Sequence, residues 1–251
     1  MAETEGNQPG GPLTLTLVIR TAAGLYRHHL LRVVVAALVV FAPVDLLEKV
    51  VEDLTNEFGS QLSMTGVAVT VASVCVVGIS LIAEILYAGV LDYTVGATLD
   101  GARLPSVRSI FLRLPYGRLL GAELLAAVII IVGFLLVVVP GLVALTLFSI
   151  TGPVVILEGR GPTAAIRRSV ELLVLRWRLA ALTVTLPLVG ASVVQSVVAA
   201  LLGGWLPTTL VVNIVFDVTV FAFAGLMIAV LGHRLVKRAA EPAHQPPVPA
   251  T

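Results

Sequence analysis

The residues with the clearest chemical potential are polar side chains inside long apolar stretches. Asp217 lies near the middle of one stretch, and Asn213 precedes it by one helical turn. Gln195, on the preceding stretch, is expected at about the depth of Asn213. An ionisable group in the membrane costs about 2.5–3.5 kcal/mol to insert and is a functional candidate. This intramembrane polar cluster predicts either a proton, cation or substrate site, or hydrogen bonds that join two helices.

A second candidate is a carboxylate surrounded by arginines. Gly159 and Arg160 follow Glu158 directly, and Arg167 and Arg168 come soon after. The glycines permit a positive φ or a close backbone approach. One hypothesis is that Glu158 is an organising carboxylate that holds these arginines around a phosphate or a partner. The other is that it forms a structural salt bridge or a helix cap.

Two further carboxylates are expected near the ends of apolar stretches. Glu84 lies about two turns from one such end, and Glu123 lies about one turn inside another, near Arg118. We favour pairing with arginines at the membrane surface, a structural role, over a functional role as ionisable groups within predicted spans.

The remaining reactive side chains predict no catalytic residue, no metal site and no cofactor. His28 and His29 are adjacent, so on one helix they would point about 100° apart and would not readily chelate one metal. Cys75, the single cysteine, is expected to be a buried, inert packing residue. The sequence contains no phosphate-binding loop, zinc-protease motif or nucleophile elbow.

The elements that must position these residues follow from composition. Of the 251 residues, 58% are hydrophobic and only 12% are charged, whereas soluble proteins carry about 25% charged residues. This favours an all-α polytopic membrane protein whose domain covers residues 12–238, between disordered tails at 1–11 and 239–251. Six transmembrane helices are predicted, with ends uncertain by a few residues, at 30–49, 66–91, 119–139, 142–157, 179–203 and 206–231.

The basic residues predict an orientation. All 16 Lys and Arg residues except Lys49 fall on one side of the predicted spans. The positive-inside rule then places both termini in the cytoplasm, with the protein in the cell membrane. Because topology already accounts for the arginine excess, no nucleic-acid partner is needed.

A basic segment precedes each pair of predicted spans, which indicates three hairpins, each following an interfacial helix. Each segment has Arg followed by Ser or Thr, and then an aromatic residue near Arg at the membrane entry. Such helices are expected to direct arginines toward lipid phosphates. The arginines predicted to bind anionic lipid or a partner are Arg108, Arg118, Arg160, Arg167, Arg168, Arg176 and Arg178.

The third basic segment and the span before it also carry a family resemblance. Pro140-Gly141, then Pro153-Val154-Val155, Glu158-Gly159-Arg160-Gly161 and Ala165-Ile166-Arg167-Arg168-Ser169 resemble the membrane domain of some bacterial glycerophosphoryl diester phosphodiesterases. Related stand-alone six-span bacterial proteins share this pattern. The resemblance implies a helical envelope protein without phosphodiesterase activity, because the family places catalysis in a separate barrel. His233-Arg234 is not expected to be catalytic.

Three hypotheses for function follow. The first is a non-enzymatic membrane protein that binds anionic phospholipid, or a protein partner, through its arginine-rich cytoplasmic segments. The alternative is a small-molecule or lipid transporter with a polar site near Asp217. A deep polar cavity that reaches Asp217 would favour the transporter, and a dry, filled core would count against it. The third and weakest hypothesis is an intramembrane enzyme that acts on lipid.

Overall fold

A computed structural model describes residues 13–58, 64–201 and 217–240, and throughout these ranges the regular structure is helical. The described chain is therefore all-α, as predicted. The helices are α1 Leu15–His28, α2 Leu30–Phe58, α3 Met64–Leu99, α4 Val107–Arg113, α5 Tyr116–Leu136, α6 Val138–Phe148, α7 Thr151–Glu158, α8 Pro162–Leu173, α9 Trp177–Leu201 and α10 Ala222–Ala240. A 3₁₀ turn, Val174–Arg176, joins α8 to α9, and a π-helical turn, Asp217–Phe221, leads into α10.

Five segments of the described chain are long and apolar enough to cross a membrane: Leu30–Glu57, Met64–Leu99, Tyr116–Leu136, Val138–Glu158 and Thr219–Ala240. They support a multi-pass membrane protein. The first four correspond to the first four predicted spans.

The last two predicted spans match less simply. The predicted span 179–203 coincides largely with α9, several of whose side chains lie outside the described residues. The predicted span 206–231 begins in the undescribed stretch 202–216, and the observed helix continues to Ala240. The six-span, three-hairpin arrangement therefore stays a prediction.

Each of the three basic segments forms a separate short helix before a long one. Thr14 caps α1 by accepting a hydrogen bond from the Leu17 N–H, and Ser106 caps α4 in the same way from Ser109. Pro162 occupies the first turn of α8, where its missing N–H has no helical partner to lose. Whether these helices lie in a membrane surface is still a prediction.

The fourth candidate span is broken inside the bundle. The chain leaves helical geometry at Ile150, whose φ of −101° and ψ of 17° separate α6 from α7. The helix α7 therefore starts within the packed interior, close to α3, α5 and α10. A helix start leaves backbone N–H groups without partners in the helix. This break creates the polar surroundings of the site described next.

Candidate functional site

A cavity of about 300 Å³ lies among the helices at the break between α6 and α7. Three carboxylates line it: Glu84 and Asp92 from α3, and Glu123 from α5. Ser149 and Gly152 contribute the wall at the break itself. The remaining wall is largely apolar and includes α10 residues, so the acidic groups face a partly open space between candidate membrane-spanning helices.

Glycine at position 152 brings two of these carboxylates together. A Cβ atom at Gly152 would lie 3.0 Å from Asp92 Oδ2 and 3.1 Å from Glu123 Oε1. Both oxygens therefore lie near the same point beside the Gly152 backbone, within about 6 Å of each other. A side chain at position 152 would crowd the carboxylates, whereas glycine leaves room for both.

The start of α7 places a backbone donor beside Glu123. The Gly152 N–H faces the Glu123 carboxyl, whose Oε1 lies 3.1 Å from the Cβ position of residue 152. This N–H is one of the unpaired donors of the first turn, and the positive end of the helix dipole favours an acidic group there. Glu123 therefore lies at the break in the fourth candidate span.

Asp92 has no comparable partner. It forms no hydrogen bond or ion pair with another residue in the ranges that the structure describes, and its electrostatic neighbour is Glu123. Two acidic groups close together in a low-dielectric interior cannot both be ionised without a compensating charge. The pair is thus suited to bind a cation or a proton.

Glu84 lies at the mouth of the cavity. Glu84, Ala88 and Asp92 recur every four residues on α3, so they share one helix face and the two carboxylates are about 12 Å apart along the axis. Glu84 and Ala88 are both exposed. The small Ala88 side chain leaves the cavity open between the two carboxylates.

A second cavity of about 310 Å³ shares Asp92 and extends toward the basic end of the molecule. Asp100, Arg103, Arg113 and Leu157 line this second space. Asp92 therefore faces both cavities, and its side chain is reachable from two directions.

The outer edge of the second cavity is held by an ion-pair cluster. Asp100 Oδ1 lies 3.1 Å from His233 Nε2 and contacts the Lys237 ammonium group. Partial burial tends to raise the pKa of Asp100, but the hydrogen bond from Lys237 and the charges of His233 and Lys237 outweigh it and lower that pKa. This cluster joins the end of α3 to α10, so His233 has a structural contact here.

The arginine-rich end has a different organisation. Glu158 contacts Arg160, and its second oxygen lies 3.2 Å from Arg168 Nε. Gly159 takes a left-handed conformation with φ of +64°, and its carbonyl accepts a hydrogen bond from Arg118 Nη1 at 2.8 Å. Glu158 therefore pairs with two arginines, which fits both the organising carboxylate and the structural salt bridge.

The other predicted arginines are more exposed. Arg167 pairs with Glu171, four residues later on α8, at 3.1 Å, but its side chain is 85% exposed. The guanidinium of Arg178 lies 5.7 Å from the centre of the Trp177 ring. Arg108, Arg176 and Arg178 are exposed. These side chains are free to approach an anionic surface.

Several sequence expectations are wrong. Glu123 does not pair with Arg118, because the break at Ile150 places the Gly152 N–H within its reach. Glu84 lines a cavity and makes no ion pair within the described ranges. Cys75 is exposed, since its side of α3 faces away from the core.

His28 and His29 also differ from expectation, because α1 ends between them. Their rings meet edge to face, with centroids 4.8 Å apart. Across the described residues, no group of three or more potential ligands is placed to hold a metal ion.

The predicted polar cluster falls largely outside the described residues. Asn213 lies in the undescribed stretch, and the side chains of Gln195 and Asp217 are not described. The backbone at Asp217 begins the π-helical turn, and Phe221 at the end of that turn lines the carboxylate cavity.

Sequence reasoning missed Asp92, the central residue of the site. The predicted second span stopped at Leu91, which left Asp92 at a boundary where a carboxylate needs no explanation. In the structure α3 continues to Leu99. The apolar residues Val95 and Leu99, one and two turns after Leu91, were the signal that the helix continued.

Comparisons with known proteins identify no relative: no protein-family model, curated protein or solved structure matches this chain. The resemblance to the membrane domain of glycerophosphoryl diester phosphodiesterases therefore stays a prediction.

Proposed function

We propose that this protein is a non-enzymatic membrane transporter that binds a monovalent cation or a proton at the Asp92–Glu123 pair. The observation that carries the proposal is the convergence of these two carboxylates at the break between α6 and α7. Discontinuous helices that present a helix start at mid-bundle are a recurring way to build ion and substrate sites in transporters. The cavity beside the pair also supports the proposal, because it leaves room for a bound species.

The site explains how a charged species could be stabilised there. A cation that loses its water on entering the bundle gains carboxylate oxygens from Asp92 and Glu123, and it relieves the repulsion between them. A proton does the same by neutralising one carboxyl group. Asp92 borders both cavities, so an ion bound there is accessible from either one.

Binding is tested by thermal unfolding of the purified protein in detergent. Replacing choline by Na⁺ or K⁺ at constant ionic strength, or lowering the pH, should stabilise the native chain, because a ligand that binds only the folded state raises stability. Asp92→Asn and Glu123→Gln should lose this response. Glu57→Gln is the matched control, because Glu57 is an exposed carboxylate at the end of α2.

Transport is tested in liposomes that carry an imposed gradient, with dyes that report H⁺, Na⁺ or K⁺. The species that stabilises the protein should cross the membrane with the wild-type chain and with Glu57→Gln, and should not cross with Asp92→Asn. Stabilisation and flux that are unchanged in both interior variants would contradict the proposal.

A second candidate function is association with anionic phospholipid, or with an acidic partner, at the arginine-rich end. The specific observation is the exposure of Arg167, Arg176 and Arg178 around the junction of α8 and α9. This proposal agrees with a cell-membrane location and cytoplasmic termini, which a reporter fused at Thr251 would test. A reporter at that site that is active only outside the cytoplasm would contradict this orientation.

The test of the second function removes charge at that junction. Replacing Arg167, Arg168, Arg176 and Arg178 by Gln should weaken association with anionic vesicles by about 1 kcal/mol for each charge that lies near the surface. Thermal unfolding provides the control, because Arg168 also pairs with Glu158. Unchanged association by a folded variant would assign these arginines to topology alone.

A further inference from the structure

A separate groove of about 510 Å³ runs along α2, away from the carboxylate cavity. Val35, Val39 and Val40 form its floor on α2, and Phe111 of α4 forms one wall. Its surface is almost entirely apolar except at one end, where His28, His29 and Arg32 lie. The groove therefore combines an apolar track with a polar, basic end.

Two nitrogen atoms at the polar end have no hydrogen-bond partner within the described ranges. Arg32 donates from Nη2 to the Pro105 carbonyl, but its Nε is buried and has no partner within the described ranges. The buried His29 Nε2 likewise has no partner within those ranges. A guanidinium has five N–H donors, so Arg32 can bind a further anionic oxygen. Burial, together with His28 and Arg32, lowers the pKa of His29, so the permanent positive charge comes from Arg32.

The length and position of the groove match one leaflet of a bilayer. Arg32 lies at the start of the apolar helix α2, where lipid headgroups are expected. From Arg32 to Val40 the helix rises about 12 Å, close to the ~15 Å of hydrocarbon in one leaflet. A phosphate at Arg32 would therefore leave an attached acyl chain alongside the valines.

We propose that this groove binds one anionic phospholipid, with its phosphate at Arg32 and one acyl chain along Val35 and Val39. The charge of Arg32 selects an anionic headgroup, and the apolar track between α2 and α4 holds the chain. The site is independent of the carboxylate cavity and of the arginines around α8 and α9, so it can be tested separately from the proposed transport.

The experiment is native mass spectrometry of the purified protein with phosphatidylglycerol or phosphatidylcholine that carry identical acyl chains. The wild-type chain should retain phosphatidylglycerol about tenfold more tightly, because the choline cation of phosphatidylcholine compensates the phosphate charge and competes with Arg32, whereas the phosphatidylglycerol headgroup keeps its net negative charge. Val39→Trp should fill the groove and release both lipids. Leu38→Trp is the matched control, because Leu38 is exposed on α2 but does not line the groove.

The headgroup contact is tested with Arg32→Gln. This variant should bind phosphatidylglycerol no better than phosphatidylcholine, and its retention of phosphatidylcholine should fall by much less, because choline already compensates that phosphate. A merely structural role of Arg32 would reduce the retention of both lipids by the same factor and leave the preference unchanged. Arg27→Gln should keep the preference, since Arg27 is exposed outside the groove.

Three results would overturn the proposal. They are equal retention of the two lipids by the wild-type chain, unchanged lipid retention by Val39→Trp, and loss of a protein dimer rather than of lipid in that variant. The last result would mean that a second copy of the chain covers the groove. Loss of the preference only in variants of the α8 arginines would place the headgroup there instead.

Discussion

The carboxylate cavity and the arginine-rich end of this protein both contain acidic side chains, but those side chains have basic partners only at the arginine-rich end. At the arginine-rich end, Glu158 is matched by Arg160 and Arg168, and water can screen what remains. In the cavity, Asp92 and Glu123 face one another, and the first turn of α7 is the only donor described for the pair. The comparison teaches that the stability of an acidic side chain depends less on how many charges surround it than on whether the fold supplies its partners.

This difference has a thermodynamic consequence. Exposed ion pairs contribute about 0–1 kcal/mol each, because solvent competes with the partner. A buried acceptor for an N–H at the start of a helix stabilises the fold by more than an exposed ion pair. Removing this acceptor leaves the N–H unpaired away from water. Substitutions in the cavity should therefore change stability more than substitutions in the exposed pairs.

The largest effect is expected from comparing two substitutions of Glu123. Glu123→Gln keeps an acceptor for the Gly152 N–H, whereas Glu123→Leu removes it. Both remove the like charge beside Asp92, so their difference isolates the hydrogen bond. Glu123→Leu should be less stable than Glu123→Gln by about 1–3 kcal/mol in chemical unfolding. Equal stabilities would show that the start of α7 does not depend on Glu123.

A smaller effect is expected from adding a methyl group at the carboxylate pair. Gly152→Ala places a Cβ about 3 Å from both acidic groups and forces them to shift. We expect a loss of about 1 kcal/mol, which lowers the melting temperature by about 2–4 °C, together with a weaker response to the bound cation. Gly78→Ala is the control, because no atom lies within 4 Å of its added Cβ. A Gly152→Ala variant that keeps the wild-type cation response would contradict the assignment of the site.

The smallest effect is expected at the Asp100 cluster and should depend on pH. The pKa of Asp100 is lower in the folded state than in the unfolded state, so its stabilisation is present above the unfolded pKa of about 4 and is lost as the pH falls through the lower folded value. Lys237→Gln should cost less than about 1 kcal/mol at pH 6, because both side chains are partly exposed. The difference from wild type should shrink below about pH 4 in melting experiments. A difference that grows toward acidic pH would mean that Lys237 does not act through Asp100.

The sequence by itself determined that the chain forms long apolar helices and that short basic segments precede some of them. Mean hydropathy and the scarcity of charge predicted a helical membrane protein, and the described chain is helical with five candidate spans. The repeated pattern of the three basic segments predicted short helices, and α1, α4 and α8 form there. These features could be predicted because they depend on nearby residues and on transfer from water to hydrocarbon, both of which are local properties.

Only the tertiary structure decided which polar residues meet. Asp92 and Glu123 are 31 positions apart, and neither has a sequence pattern that points to the other. They come together because α6 and α7 separate at Ile150 and glycine at position 152 permits the approach. Likewise, Arg118 was expected near Glu123 because the two share a helix, but it reaches the Gly159 carbonyl on another segment. Contacts between distant segments depend on how helices pack, which a single sequence does not encode in any local pattern.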